Sequence, residues 1–545
     1  MPFPLLYLCL CGFYRRARGQ NVIAAFFQFV ANTTRPCLFV LFYARQMEQN
    51  PTASRLNNAA IPGLSATLGA APYDREALSP SIVHIGVGGF HRAHLATYVD
   101  ELCRAGHTDW AIFGTGVMPG DKAMADALHP QDCLFTVVER GASMSTATVI
   151  GSMIEYLHAD PDRSGLVDAI AAPTTQIVSL TVTEGGYPID DATGDFDASS
   201  PNASDTSAFA AIAAGLEKRM ADGGAPLTIM SCDNIMANGN ATRAATLGLV
   251  EQVSAELVQW VQENVSFPNS MVDRITPATA DADREWLTEN YAVEDAWPVV
   301  CEPFRQWVIE DSFAGARLPL EELDVIVTDD VTPYEHMKLQ LLNAGHSCLA
   351  YAAALLDIEF VHEAMADEDV RLFVRSFLDN EAKTSLAPVP GLDVDDYIAT
   401  LIDRFSNPQI RDQVSRLCQD GSGKLPKFLL PTMRTQLHKD GPLELGSLLL
   451  ATWCQYLIGT SDSGQSIDVA PDPLLDIATA AANSSVDDPA AFLAFEQVFD
   501  SELSGNDAFT AAFTAALETL RENGVRSAIR QVSGSSSAAN GGTVE

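Results

Sequence analysis

Basic residues are scarce in this chain of 545 residues, which has 33 lysines and arginines against 71 aspartates and glutamates and a formal net charge of −38. A field of that sign repels nucleic acid and anionic membrane surfaces, so we expect neither as a partner. Either adaptation to a salty habitat or simple compositional bias would account for the excess of acidic residues. Hydrophobic residues make up 47% of the chain, which excludes disorder over most of its length.

Closely spaced cysteine pairs of the CxxC type are also missing. The ten cysteines are scattered along the chain. This distribution fits reduced thiols in a cytoplasmic enzyme better than a disulfide framework or a structural zinc site. The sequence also lacks an internal repeat and an obvious assembly motif, so we expect a cytoplasmic monomer or weak oligomer.

The first 46 residues lack acid altogether, although they contain five arginines. A signal or transit segment would have this composition. A membrane anchor is a second interpretation, but Asn32 and Arg35 interrupt its apolar stretch. We favour a third, in which this segment precedes the true start at Met47. We therefore expect a separate N-terminal extension over residues 1–46.

From residue 81 onward, apolar strands alternate with glycine turns and helices, which favours an open and mostly parallel sheet. The predicted strands span 82–87, 110–114, 176–183 and 227–232, and the predicted helices between them span 92–105 and 208–220. After about residue 330 most segments are predicted helical, among them 333–356, 473–482 and 507–522. Asp472 and Asn506 are the expected caps of the last two helices.

The predicted fold class is therefore α/β, with an open, mostly parallel sheet domain followed by a mainly α-helical C-terminal domain. We expect the first domain over 47–328, the second over 329–532 and a loose Ser/Gly/Ala-rich tail over 533–545.

A glycine-rich turn follows the first predicted strand, as a pyrophosphate-binding loop does. The third glycine of the usual GxGxxG pattern is replaced by His91, so an ordinary tight turn is the alternative. His91 and His94 have a spacing that metal ligands can have, but no third ligand stands nearby and we expect no metal. The expected cofactor-binding residues of this segment are Gly86, Gly88, Gly89, Phe90, His91 and Arg92.

An acidic residue, Asp121, follows the second predicted strand. Such a residue accepts hydrogen bonds from ribose hydroxyls and repels a 2′-phosphate, which favours NAD over NADP. Gly120 and Lys122 beside it soften that preference, and a solvated loop aspartate is the other interpretation.

The helix predicted from Pro333 carries polar residues in a largely apolar run. Thr332 is the expected N-cap, and Glu335 would complete a capping box. Asn343 and His346 are three residues apart, and about 80° of a regular helix separates Lys338 from His346. One side of the helix would then present all three residues to one cleft.

Such a set suits the oxidation of an alcohol. A desolvated lysine such as Lys338 can remove the hydroxyl proton, because burial lowers a lysine pKa. The Asn343 amide can stabilise the developing alkoxide, and His346 can bind another hydroxyl. Asn234 follows the fourth predicted strand and can supply a second amide, although it can equally cap a helix. A surface lysine and two satisfied polar core residues are the alternative interpretation of the helix.

Residues 80–530 resemble the polyol-specific long-chain dehydrogenases. The resemblance is carried by IVHIGVGGFHRAH (82–94), SLTVTEGGYPID (179–190), TIMSCDNIMANG (228–239), FPNSMVDRITPAT (267–279), WPVVCEPFRQWVIEDSF (297–313), DDVTPYEHMKLQLLNAGH (329–346) and LPKFLLPT (425–432). It implies a Rossmann-type, mostly parallel sheet domain followed by a mainly α-helical C-terminal domain, with the site in the cleft between them. It also implies NAD as cofactor and oxidation of a polyol to a ketose without a metal.

The resemblance also implies residue roles. Lys338 would be the general acid/base, and Asn343 with Asn234 the oxyanion hole. His346 would bind substrate, and Glu335 would connect the lysine to solvent. Three further residues are expected to bind the polyol or ketose: Asp273, Arg416 and Lys424.

The sequence departs from the family where Gly120 replaces a second acid, which weakens the expected exclusion of NADP. Mannitol is the favoured substrate, because the SCDN and VDRITP segments look closest to mannitol enzymes. Arabinitol oxidation and reduction of fructuronate or tagaturonate are alternatives, the latter with Arg416 or Lys424 holding the carboxylate. A non-catalytic nucleotide sensor is the remote alternative.

Overall fold

The computed structural model describes residues 53–64, 68–190 and 193–540. The expected extension over residues 1–46 and the boundary at Met47 lie outside the described residues. The seven cysteines of the described ranges are all free and buried. Across the same ranges, no helix is both long and apolar enough to cross a lipid bilayer.

The strands precede residue 329 in the chain. They are β1 (Ser54–Arg55), β2 (Pro80–Ile85), β3 (Ala111–Gly116), β4 (Phe135–Arg140), β5 (Ser145–Ile150), β6 (Met153–His158), β7 (Ile177–Leu180), β8 (Leu227–Ser231), β9 (Val265–Ser266), β10 (Ser270–Asp273), β11 (Val293–Glu294), β12 (Val299–Cys301), β13 (Gln306–Glu310) and β14 (Ile326–Thr328).

The central sheet has six parallel strands in the order β6-β3-β2-β7-β8-β9. Numbered along the chain within this sheet, that order is 3-2-1-4-5-6, the order of dinucleotide-binding sheets. All but the first residue of β2 are buried, as expected of a strand covered on both faces. The four predicted strands correspond to β2, β3, β7 and β8, with ends displaced by a few residues.

Three smaller sheets were not predicted. β12, β4 and β5 form one of them, in which β12 pairs parallel with β4 and β4 pairs antiparallel with β5. β10, β13 and β14 form another, and β1 pairs with β11. The sheet that contains β10 matters for the site, because β10 ends at Asp273.

Helices alternate with the strands in the first half of the chain, and the described elements after residue 328 are helical. Those of the first half are Gly89–Ala93, Leu95–Ala105, Lys122–Leu128, Ser164–Ala171, Ala208–Ala221, Asn238–Val253, Ala255–Asn264 and Asp281–Tyr291. Those of the second half are Thr332–Met337, Ala344–Leu355, Val361–Ala366, Glu368–Phe377, Lys383–Ser385, Val394–Phe405, Val414–Leu417, Gly421–Phe428, Leu430–His438, Glu444–Leu457, Leu475–Ser484, Ser501–Ser504 and Asp507–Asn540, with π-helical turns over Lys338–Asn343 and Leu378–Ala382. The predicted fold class is confirmed.

The helical half has its own large apolar core, which extends from Val331 to Ile529 and also takes in Met271 and Val308 of the strand half. Apolar contacts therefore cross between the halves beside the end of β10. The strand half buries the two faces of its central sheet in separate clusters.

Several helix ends differ from the sequence expectations. Asn506 caps its helix as predicted, through the backbone N–H groups of Ala508 and Phe509. The helix predicted from 473 begins instead at Leu475, because Asp472 accepts a hydrogen bond from the Leu474 N–H and thereby closes a turn before the helix. The predicted loose tail was wrong for 533–540, where the structure continues a helix that is broken at Gly524.

Candidate active site

The glycine turn follows β2 directly. Gly86 has a φ of +95°, and a Cβ there would lie 2.2 Å from the Thr181 carbonyl oxygen, so the position requires glycine. At Gly88 the nearest atom to an added Cβ is the Gly86 carbonyl oxygen at 3.9 Å, which leaves the space above this backbone open. An open backbone at the carboxyl end of the first sheet strand suits the pyrophosphate of a dinucleotide. Gly89 approaches Thr276 closely.

His91 lies under this turn and is buried. Its ring stacks on His84 with 3.4 Å between the ring centroids, and His84 is fixed by the hydroxyls of Ser179 and Thr181. Burial and the neighbouring His84 lower the pKa of His91 well below its usual range, so the ring is neutral. Within the described chain neither ring nitrogen of His91 has a hydrogen-bond partner. These nitrogens are thus available for a polar group of a cofactor.

The neighbours of His91 do not form a metal site. Phe90 stacks on His94 at 4.9 Å, and His94 Nε2 donates to the Gln306 carbonyl oxygen at 3.1 Å. Among the described ranges, no three His, Cys, Asp or Glu side chains are placed to hold a metal ion.

Arg92 requires a correction. Its side chain is buried, and the guanidinium donates to the carbonyl oxygens of Gly88 at 3.2 Å and Trp297 at 2.5 Å. A guanidinium directed at interior carbonyls is not placed to contact a cofactor phosphate, which contradicts the prediction that Arg92 binds the cofactor. Instead Arg92 supports the glycine turn from below.

Asp121 lies at the carboxyl end of β3, the second strand of the sheet. Its Oδ2 accepts from the Met118 N–H at 2.9 Å, and its side chain lies against Gly116, where a Cβ would clash with it. This fixes the carboxylate beside the turn. The partly exposed group can meet ribose hydroxyls there. Gly120 has open space around it.

A π-helical turn over Lys338–Asn343 interrupts the long helix predicted from residue 333. A π turn closes i→i+5 rather than i→i+4, so the angle of about 80° inferred for a regular helix does not apply. The start of the helix also differs from the prediction. Thr332 is the first helical residue and the preceding residue is the N-cap, while Glu335 makes no capping box.

Lys338 is buried, and its Nζ donates a hydrogen bond to Asn234 Oδ1. Asn234 follows β8 and is exposed, so the helical half meets the carboxyl end of the central sheet at this bond. Since its Oδ1 faces the lysine, Asn234 Nδ2 remains as the donor for a substrate oxygen. A cleft beside this pair is lined by Asn234, Met236, Ser270, Val272, Glu335 and Lys338, among others.

Glu335 lies one helical turn before Lys338 and lines the same cleft. Its Oε1 accepts from the Ala237 N–H at 3.0 Å. Burial raises the pKa of Glu335 to about 7, although the Ala237 bond and nearby Lys338 act against that rise. A carboxyl group with this pKa exchanges protons readily near neutral pH.

His346 and Asn343 follow on the same chain segment. Burial lowers the pKa of His346 to about 3, so the ring is neutral; it stacks on Phe405 with 4.2 Å between centroids. Its Nε2 has no hydrogen-bond partner in the part of the chain that the structure describes. The half-buried Asn343 side chain likewise makes no hydrogen bond to these residues, which leaves both groups able to bind substrate.

Asp273 is part of a buried ion cluster that sequence reasoning missed. Arg404 of the helical half donates to both Asp273 oxygens at 2.8 and 3.0 Å, and to both Glu302 oxygens at 2.8 and 2.9 Å. Burial alone would raise the pKa of Asp273, but Arg404 outweighs it and the pKa is lowered; the pKa of Glu302 is raised by burial despite Arg404. Arg404 also lies 4.0 Å from the Phe304 ring centroid.

A signal for Arg404 exists in the sequence. The helix Val394–Phe405 is amphipathic, and Arg404 falls on its apolar face with Tyr397 and Leu401, seven and three residues earlier. A cation among buried apolar residues requires acidic partners. The sequence does not reveal which acids these are, because Asp273 and Glu302 come from a distant part of the chain.

The remaining two predicted residues lie on short helices beside His346. Arg416 Nε and Nη2 donate to Asp412 at 2.7 and 2.5 Å, and the helix of Arg416 packs against that of His346. Lys424 is half-buried on Gly421–Phe428, which packs against the π turn of Lys338. The short helices of Arg416 and Lys424 thus lie against the segment that carries Lys338, Asn343 and His346.

Two protein-family models match this chain. The mannitol dehydrogenase Rossmann domain matches residues 80–322, and the mannitol dehydrogenase C-terminal domain matches residues 330–521. The chain belongs to the mannitol dehydrogenase family.

Relatives within the mannitol dehydrogenase family are similar over most of the chain. A mannitol 2-dehydrogenase of Cereibacter sphaeroides is 45% identical over 469 residues, which are 84% of this chain and 97% of that protein. The solved Pseudomonas fluorescens mannitol 2-dehydrogenase, a ternary complex with NAD and D-mannitol, is 41% identical with a TM-score of 0.80, covering 88% of this chain and 99% of that one. A substrate-free D-sorbitol dehydrogenase is 33% identical with a TM-score of 0.79, covering 87% and 100%.

The ion cluster leads to a prediction about stability. Arg404→Gln should leave two buried carboxylates unpaired and destabilise the protein by roughly 3–5 kcal/mol. Both carboxyls would then have pKa values above their unfolded ones, so stability would be retained at acid pH and lost as pH rises through those values. Denaturant unfolding at pH 5 and pH 8 measures this.

Arg434 provides the matched control, because it also contacts two carboxylates, Asp500 and Glu502, but at the surface. Arg434→Gln should change stability by about 1 kcal/mol or less. Equal losses in the two variants, or an Arg404→Gln loss that is independent of pH, would contradict the role given to the cluster.

Proposed function

We propose that the protein oxidises D-mannitol to D-fructose with NAD, and catalyses the reverse reduction, with Lys338 as general acid/base and no metal. The observation that carries the proposal is the hydrogen bond from buried Lys338 to Asn234 at the carboxyl end of a dinucleotide-type sheet. Relatives named mannitol 2-dehydrogenases at 41% and 45% identity support the choice of substrate.

NAD, when bound, accepts the hydride from the carbinol carbon. The open backbone at Gly88, the unpartnered nitrogens of buried His91 and the carboxylate of Asp121 fit such a dinucleotide. We assign Gly86, Gly88, Gly89, Phe90 and His91 to the turn that would hold it. Asp121 would accept from the ribose hydroxyls and disfavour a 2′-phosphate.

The proton chemistry falls to residues of this chain. Lys338 Nζ removes the proton of the reacting hydroxyl as the carbonyl forms. The amides of Asn234 and Asn343 donate to the reacting oxygen and stabilise its developing negative charge. Neutral His346 binds a neighbouring hydroxyl through Nε2, which has no other partner in the described chain.

Glu335 carries the proton onward. Since burial brings its pKa to about 7, it can accept a proton arriving from Lys338 and release it from the cleft that both residues line. Substrate hydroxyls beyond the reacting carbon meet Asp273, Arg416 and Lys424. Arg404 keeps Asp273 ionised and oriented for that purpose.

Substrate and cofactor preference form the first test. The protein should reduce fructose with NADH at a higher kcat/KM than fructuronate or tagaturonate, and should use NADPH less well. Mannitol oxidation should exceed arabinitol and sorbitol oxidation, and prolonged EDTA treatment should not lower it. A preference for a hexuronate would reject the mannitol assignment, and lasting inactivation reversed by zinc would reject metal independence. NADH binding without turnover of any substrate would instead indicate a sensor.

We expect a cytoplasmic location.

The pH profile tests Glu335. Mannitol oxidation should rise with pH through about 7, because Glu335 accepts protons only when ionised. Glu335→Gln should lower kcat for oxidation by roughly tenfold to a hundredfold and remove this inflection.

The control for Glu335 is Asp330→Asn. Asp330 is exposed, and its charge raises the pKa of Glu335. This variant should keep the activity and shift the inflection slightly towards lower pH. An unchanged inflection in Glu335→Gln would show that another group titrates.

A further inference from the structure

Arg416 is held by one carboxylate. Asp412 lies four residues earlier and binds the guanidinium through two parallel hydrogen bonds of 2.7 and 2.5 Å. The Asp412 side chain is only 6% exposed, whereas that of Arg416 is 51% exposed. The carboxylate is therefore fixed inside the protein, and the guanidinium projects from it towards solvent.

This pair lies beside the substrate-binding region. Both Asp412 and Arg416 act electrostatically on His346, and their segment packs against the helix that bears it. Arg416 Nη1 makes no hydrogen bond to the described residues, so it remains available as a donor. The two-pronged pairing compensates the arginine charge but leaves this N–H group for a ligand.

Arg404 and Lys424, two further cations of the region, also have acidic neighbours. Arg404 pairs with two acidic side chains, Asp273 and Glu302. Lys424 lies within electrostatic reach of Asp420, which caps the same helix. A substrate carboxylate entering here would meet neither Arg404 nor Arg416 without a carboxylate partner.

We propose that Asp412 is a positioning residue that sets substrate specificity: by pairing with Arg416 it makes the site accept neutral polyols and ketoses and reject hexuronates. This inference rests on the proposed function. Arg416 then acts as a hydrogen-bond donor to a sugar hydroxyl rather than as a cation for a carboxylate. Selectivity against an anion comes from the lack of a free positive charge.

The decisive variant is Asp412→Asn, which keeps the side-chain shape and removes the charge. The ratio of kcat/KM for fructuronate or tagaturonate to that for fructose, measured with NADH, should rise at least about tenfold, which is about 1.4 kcal/mol. The double variant Asp412→Asn/Arg416→Gln should return the ratio to the wild-type value, because the gain acts through Arg416. NADH binding and the melting temperature verify that each variant is folded.

Two further variants complete the experiment. Glu321→Gln breaks the exposed pair with Arg317, also four residues apart, and should leave the ratio unchanged. Arg416→Gln alone should lower kcat/KM for fructose and for the hexuronates by similar factors, and it remains informative if Asp412→Asn does not fold. A selective loss on the hexuronates would overturn the proposal.

The outcomes separate the two proposals. A wild-type protein that turns over mannitol and fructose, with an unchanged ratio in Asp412→Asn, overturns the specificity proposal alone. A wild-type protein inactive on both neutral substrates overturns the proposed function, and one that prefers hexuronates overturns both.

Discussion

The hydrogen bond from Lys338 to Asn234 joins the two halves of this protein at the place where chemistry is expected. One partner follows the fifth strand of a parallel sheet, and the other begins a π-helical turn in the helical half. Neither half alone contains both a dinucleotide-type turn and a buried amine. The relative placement of the halves is therefore the physical condition for hydride transfer from the carbon and proton transfer from the oxygen of one alcohol group.

The Arg404 cluster maintains that placement. It links the end of β10 and Glu302 to a helix of the other half by four hydrogen bonds within a buried region. Replacing a whole buried ion pair by apolar residues changes the stability of a protein little, whereas removing one partner of the pair is strongly destabilising. We infer that the cluster specifies one relative arrangement of the halves and fixes Asp273 in its ionised form.

Local sequence patterns predicted much of this structure. The strands that form the middle of the central sheet, the glycine turn and the helix of Lys338 all follow from short-range periodicity and turn chemistry. What local patterns missed depends on distant residues. Examples are the parallel pairing of β12 with β4, the partners of Arg404 and the interior placement of Arg92.

The π turn over Lys338–Asn343 was missed for a different reason. Its residues mix apolar and polar side chains in a manner that is compatible with a regular helix, and the helix Gly421–Phe428, which packs against the turn, comes from a later part of the chain. Motif resemblance nevertheless makes Lys338, Asn343 and His346 candidates, because such motifs record side-chain identity without the backbone geometry that presents it.

The central claim is that the amine of Lys338 takes the hydroxyl proton, and amine rescue of Lys338→Ala tests it most directly. The variant should bind NADH as the wild type does and should oxidise mannitol roughly 10²–10⁴-fold more slowly. Added primary amines should restore part of that rate, with more basic amines restoring more. Turnover at the wild-type rate in Lys338→Ala without any amine would contradict the account.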